Sequence, residues 1–193
     1  MLAKENVSSG GFVRAFALTN SKDIIWIILF AVLTAIGSQI AIPVRPVPFT
    51  LQTMMVILAG AFLGSKKGAY SQIVYLFLGI IGLPVFAQTP DVSIGIAKLF
   101  GPTGGYLLAF PLGAFITGFI IERYKNRIFV VLALFTGAAL IIILGTIFLN
   151  TLYIHNLSQA FEMGASLFSL WMIAKIIAAS SIYFSVKKIR KAD

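Results

Sequence analysis

Apolar stretches separated by short polar or proline-rich breaks run along almost the whole chain, and their lengths decide what they form. Residues 24–42, 104–121, 128–149 and 166–186 are each long enough to cross a bilayer as a helix, which takes roughly 20 apolar residues. Residues 51–64 and 69–82 are equally apolar but only 14 residues long each, and residues 65–68, Ser-Lys-Lys-Gly, join them in a tight turn. Two short apolar segments joined this way predict a helical hairpin that sits within protein or stops short of one interface. The pattern predicts an all-α integral membrane protein with six transmembrane helices. It has an N-terminal segment 1–23, a membrane domain 24–186 and a basic tail 187–193. The first span is too long for the apolar core of a signal peptide and five more follow it, so no cleavage is expected. Residues 12–18 suit a short interfacial helix.

The breaks carry information too. Pro43, Pro46 and Pro48 fall within six residues. Proline lacks an amide donor and disfavours helix at the residue before it, so this is a stiff extended loop. Residues 83–102 form a long connection containing Pro84, Pro90, Asp91, Lys98 and Pro102. Loops of this length are usually functional or disordered, and this one is too apolar for disorder, which predicts a lid over a pocket.

Composition agrees with a membrane protein and narrows its class. The 193 residues are 59% hydrophobic and 11% charged, with a mean hydropathy of +0.99, far from the quarter or so charged that soluble domains carry. The spans use up the chain and leave no room for an ATPase domain. There is no cysteine and a single histidine, His155, so thiol chemistry is excluded, and neither a metal site nor a cofactor is expected. The net charge of +9 would suggest nucleic acid on a soluble domain. The positions argue against that partner: twelve of the 15 basic residues fall on one side of the expected topology, Arg45 and Lys98 fall on the other, and Lys175 lies inside the last span. By the positive-inside rule both termini are cytoplasmic.

Few side chains here suggest chemistry. No Walker A, dinucleotide-binding or hydrolase motif occurs, so the chain does not hydrolyse ATP. The six acids, Glu5, Asp23, Asp91, Glu122, Glu162 and Asp193, lie in loops or at span ends, which argues against a proton or ion relay within the spans. Lys175 is the sharpest signal. A mid-span lysine costs about 2.5–3.5 kcal/mol to insert, and its helical neighbours Trp171 and Met172 supply no counter-charge. Either it pairs with an anionic ligand or it snorkels to water. Trp171, one turn earlier on the same face, fits either stacking on a ligand ring or an interfacial belt. Gly104, Gly105 and Tyr106 open the fourth span, where free amides attract acceptors; a plain helix cap is the alternative. Gly60, Gly64 and Gly68 are spaced for close helix packing, and Ala31 and Ala35 repeat the spacing on the first span.

Leu83-Pro-Val-Phe-Ala87 followed by Leu99-Phe-Gly-Pro-Thr-Gly-Gly-Tyr106 resembles the signature of the BioY family, the biotin-binding S components of energy-coupling-factor transporters. Pro48-Phe-Thr-Leu-Gln52, Gly60-Ala-Phe-Leu-Gly64 and Tyr75-Leu-Phe-Leu-Gly79 resemble further family segments in the same order, so the likeness covers residues 30–186. The resemblance implies a high-affinity biotin site near the external face of a bacterial cell membrane, closed by the first loop. It also implies ATP-driven import through a transmembrane coupling subunit and two ATPase subunits. Lys175 would then meet the biotin carboxylate. Tyr106, Ser93, Gly104 and Gly105 would meet the ureido group or the carboxylate, and Trp171 and Phe49 would cover the rings. Ala31 and Ala35 resemble the patch that docks on the coupling subunit. Met172 stands where many relatives carry an acid, and Leu107 where some carry an arginine. A carrier acting alone on the same vitamin and a membrane-embedded enzyme or scaffold are the competing classes.

Overall fold

The structure is a computed structural model and describes residues 20–42, 44–88, 94–163 and 167–189. The interfacial helix expected at 12–18 and the positions Pro43 and Ser93 lie outside the described residues. Helix α1 spans Ser21–Gln39, followed by strands β1, Ala41–Ile42, and β2, Phe49–Thr50. Helices α2, Gln52–Leu63, and α3, Ser65–Ile80, form the hairpin. A 3-10 helix, Gly95–Phe100, leads into α4, Gly104–Arg123. Helix α5, Arg127–Leu149, continues through a π-turn, Asn150–Ile154, to the short α6, Leu157–Phe161, and then to α7, Leu167–Ile189. Four helical stretches are long and apolar enough to cross a membrane: Ser21–Gln39, Gly104–Arg123, Arg127–Ile154 and Leu170–Ile189. The two hairpin helices are shorter.

Element boundaries follow local chemistry. The expected turn at 65–68 is the first turn of α3; α2 and α3 meet at the single residue Gly64, whose φ of +83° is the left-handed conformation that glycine adopts without strain. The Glu122 carboxylate from the end of α4 accepts from Ser65 N and Ser65 Oγ, both at 2.8 Å. It thereby caps the N-terminus of α3, where the helix dipole favours negative charge. Asp23, in the first turn of α1, pairs with Lys67 at 2.6 Å. Helix α7 runs three residues past the expected start of the basic tail, with Lys187 and Lys188 in its last turn, the end that stabilises cations. The proline-rich loop is the tip of an antiparallel ladder, Ala41 opposite Thr50 and Ile42 opposite Phe49, with a cis Arg45–Pro46 bond. This small ladder departs from a purely helical expectation.

Helix α4 is central, packing against α2, α3 and α5, and small residues bring the backbones together. A methyl group on Gly60 would lie 2.2 Å from the Ala114 carbonyl oxygen, and one on Gly68 would lie 2.8 Å from Gly60 Cα. The glycine spacing therefore serves internal packing, as expected. On the other side of α4, a methyl group on Gly145 would fall 2.2 Å from the Tyr106 ring. Two apolar cores result. One gathers Val56, Tyr75, Phe86, Tyr106, Phe110 and Ile141; the other gathers Phe30, Ile57, Leu134, Ile176 and Tyr183.

Because the obstacle at Gly60 is backbone, Gly60→Ala forces the α2–α4 interface apart. A destabilisation of about 1–3 kcal/mol, the usual cost of overpacking, is expected in denaturant titration of the purified chain. Unchanged stability would show that α2 tolerates a wider separation from α4.

Candidate functional site

At the end of the bundle away from Gly64, the β-ladder, the 83–88 segment and the start of α4 enclose a cavity of about 40 Å³. The ladder and α2 contribute Val47, Pro48, Thr50, Gln52 and Thr53. The segment after α3 contributes Phe86 and Ala87, the 3-10 helix contributes Lys98, and α4 contributes Thr103, Tyr106, Leu107 and Phe110. Polar groups thus line one part of an otherwise apolar chamber, the pattern of small-molecule sites.

A chain of hydrogen bonds ties these walls together. Thr50 Oγ1 donates to Gln52 Oε1 at 2.9 Å, and Gln52 Nε2 donates to the Tyr75 hydroxyl. Tyr75 in turn donates to the Val85 carbonyl at 3.1 Å, which also accepts from Ser38 Oγ at 2.7 Å. The ladder, α2, α3, α1 and the 83–88 segment are therefore linked through one backbone oxygen. Gln52 and Tyr75 are buried, and unmade bonds at such depth are costly.

The expected site residues are distributed unevenly. Tyr106 lines the cavity, 5% exposed, with its hydroxyl 3.2 Å from Thr146 Oγ1. Lys175 is 6% exposed and donates to Thr53 Oγ1 at 2.8 Å. It lines a smaller adjoining space of about 10 Å³ with Met172, Ile142 and Ile57. Thr53 borders both spaces, so Lys175 stands one hydrogen bond behind the main cavity. Phe49 is half-buried against the same core, while its neighbours Pro48 and Thr50 reach the cavity. Gly104 and Gly105 are buried but serve packing: added methyl groups would lie 1.8 Å from the Leu99 carbonyl oxygen and 2.2 Å from Phe148 Cβ. The Gly104 amide is already bonded to the Gly101 carbonyl at 2.9 Å. Trp171 is 37% exposed and borders neither space; Met172 occupies the inward position beside Lys175. Ser93 lies outside the described residues.

Ala31 is fully buried, and Ala35 is partly buried beside it in the same core. The exposed face of α1 carries Ile25, Ile28, Leu29, Val32 and Ile36. Lys98, read as one of two external cations, is 4% exposed and lines the cavity. Its apolar surroundings in the sequence, Ile94, Ile96 and Leu99, were the available signal that this lysine is turned inward.

Comparison with known proteins gives a consistent result. Residues 8–192 match the model of the BioY family. A protein named biotin transporter BioY from Thermotoga maritima is 37% identical over 161 residues, 83% of this chain and 93% of that one. A probable biotin transporter BioY from Pyrococcus horikoshii is 40% identical over 159 residues, 82% of this chain and 92% of that one. Among solved structures, the S component for biotin from an ECF-type ABC transporter superposes with a TM-score of 0.79 at 26% identity, covering 89% of this chain and 95% of that one.

Tyr75→Phe keeps the ring that packs against Phe86 and Phe110, with centroids 5.5 and 6.1 Å away, and removes only the hydroxyl. Leaving Gln52 and Val85 without that link is expected to cost about 1–3 kcal/mol of stability. Amide exchange should accelerate at 47–52 and 83–87 and stay unchanged in α5. Wild-type exchange in both segments would show that the hydroxyl does not tie the walls.

Proposed function

The chain belongs to the BioY family, and on that premise we propose that biotin binds in the cavity between the β-ladder and Tyr106. The chain is the substrate-binding subunit of a biotin transporter, not an enzyme. The observation that carries the siting is a pair of buried lysines at one mostly apolar chamber, Lys98 in its lining and Lys175 one hydrogen bond behind it. Biotin has an apolar bicyclic body, a ureido group and a carboxylate. The apolar wall of Val47, Phe86, Leu107 and Phe110 suits the body, and hydroxyls of Thr50, Thr103 and Tyr106 suit the ureido group. Lys175 turns from Thr53 to pair with the carboxylate, and Lys98 supplies a second positive charge in the same chamber. The expected contributions of Ser93, Phe49 and Trp171 stay part of this proposal as outer contacts made when the loops close.

The chamber as it stands is far smaller than the roughly 300–1,000 Å³ of ligand pockets, so binding requires a wall to move. The ladder tip, held by Pro46 and Pro48, covers the chamber with Val47 and Pro48 and serves as the lid. Its strands and α2 stay in place. The topology that fits is six crossings, the hairpin counting as two short ones, with both termini in the cytoplasm and the chamber opening outside. The sequence carries no Walker A motif, which supports import through a transmembrane coupling subunit and two ATPase subunits in a bacterial cell membrane.

Lys175→Met keeps the apolar stem and removes the charge. Truncating one partner of a buried charge pair typically costs about 2–5 kcal/mol, so biotin should bind at least about thirtyfold more weakly. An uncharged biotin amide should bind nearly as before. Equal weakening of both ligands would remove Lys175 from the carboxylate, and the same pattern shown by Lys98→Met instead would transfer the role to Lys98. Since the chain has no cysteine, Arg45→Cys and Lys125→Cys test topology and lid together. An impermeant thiol reagent on intact cells should label position 45 and leave position 125 unlabelled. A spin label at 45 should lose mobility on adding biotin; labelling at 125, or unchanged mobility at saturation, would contradict the reading.

A further inference from the structure

Outside the biotin chamber, a concave feature that carries one sign of charge lies at the opposite end of the bundle. There the turn before α5 and the last turns of α7 border a cleft of about 640 Å³. Its rim holds Lys125, Arg127, Lys187 and Lys188, and its floor holds Val130 and Phe184. No acid lines it. Among the described residues none of these four cations is ion-paired; Asp23 is engaged with Lys67, and the Glu122 carboxylate caps α3. Two of the cations are held in place. The Arg127 guanidinium lies over the Phe184 ring, 6.0 Å from its centroid. Lys187 donates to the Tyr183 hydroxyl at 3.3 Å and lies over that ring at 5.3 Å.

The geometry points to a binding site for the headgroup of an anionic phospholipid, with Arg127 and Lys187 as its principal phosphate contacts. Two observations choose a lipid over a soluble anion or an acidic protein surface. First, the cleft lies where charged helix ends give way to large exposed apolar side chains. Ile128 is 66% exposed on α5 and Ile182 is 40% exposed on α7, the surface that acyl chains cover. Second, the floor of the cleft is itself apolar, with Val130 buried beneath the cations, so a ligand seated there meets charge at one level and hydrocarbon at the next. Basic pockets between membrane helices on the cytoplasmic side bind anionic headgroups, each Lys or Arg near the surface contributing about 1 kcal/mol. Arg suits phosphate because its planar donors engage two oxygens at once. The site is remote from the chamber and does not depend on which ligand the chamber holds.

The test counts lipids on the purified full-length chain by native mass spectrometry. Phosphatidylglycerol should bind as a discrete stoichiometric adduct and phosphatidylcholine should not. Glycerol 3-phosphate should fail to displace it at equal concentration, which separates a lipid site from a free phosphate site. In Arg127→Gln with Lys187→Gln, phosphatidylglycerol should bind about thirtyfold more weakly, while biotin affinity stays at the wild-type value and certifies the fold. Lys66→Gln with Arg123→Gln removes the same charge elsewhere at this end and should leave the adduct intact. A second measurement needs no charge change: a fluorophore on Ser185→Cys, at the cleft wall, should be quenched more by brominated phosphatidylglycerol than by brominated phosphatidylcholine in nanodiscs. Equal binding of the two lipids, equal quenching, displacement by glycerol 3-phosphate, or equal loss in the control pair would each overturn the proposal. So would a cleft that binds only an acidic surface of a partner subunit.

Discussion

The approach of α2 to α4 at Gly60 is the constraint on which the remaining geometry depends. Within a bilayer the hydrophobic effect does not drive one apolar helix against another, so association rests on close van der Waals packing and a few hydrogen bonds. Gly60 and Gly68 let three backbones, α2, α3 and α4, meet where any side chain would collide. Once α2 is fixed there, its other end delivers Gln52 and Thr53 to the chamber opposite Tyr106. The Glu122 cap then holds the hairpin joint, so the hairpin is clamped at one end and carries site residues at the other.

That free end is organised by hydrogen bonds more than by packing. The Val85 carbonyl belongs to an irregular segment in an apolar setting, where an unsatisfied acceptor is costly. Donors from Ser38 on α1 and Tyr75 on α3 satisfy it, and the segment then presents Phe86 and Ala87 to the chamber. Lys175 follows the same logic. Among the described residues no acid pairs with it, and it holds Thr53, a neutral partner that in the proposed site a ligand carboxylate would outcompete without leaving a carboxylate stranded.

Much of this was legible in the sequence because apolar run length and charge position are one-dimensional signals. The four long helices, the short hairpin and the glycine packing all appear as pattern. Details set by three-dimensional neighbours were not legible. Ser65 begins a helix because Glu122, 57 positions away, caps it. Ala31 and Ala35 share a face by spacing, and only the rotation of α1 decides that Ala31 is fully buried while Ala35 is partly so. Trp171 and Met172 are adjacent in sequence, and only the helix phase decides which one accompanies Lys175. Charge position put Lys98 on the external side of the bundle, but only the fold of the 3-10 helix shows that its side chain turns into the chamber.

The shortness of α2 has an electrical consequence. Its 12 residues span about 18 Å at 1.5 Å per residue, against roughly 30 Å of hydrocarbon. In the proposed topology, with the Gly64 joint at the inner boundary, the chamber would sit about 12 Å below the outer one, inside the membrane field. A monoanion entering from outside then crosses up to about 40% of an inside-negative potential, an opposing free energy of about 0.9 kcal/mol per 100 mV. Energising the membrane thus weakens capture of an acid by up to about fivefold and leaves an uncharged analogue unaffected. In the proposed site the two lysines would then hold the vitamin against the voltage of the cell as well as against water.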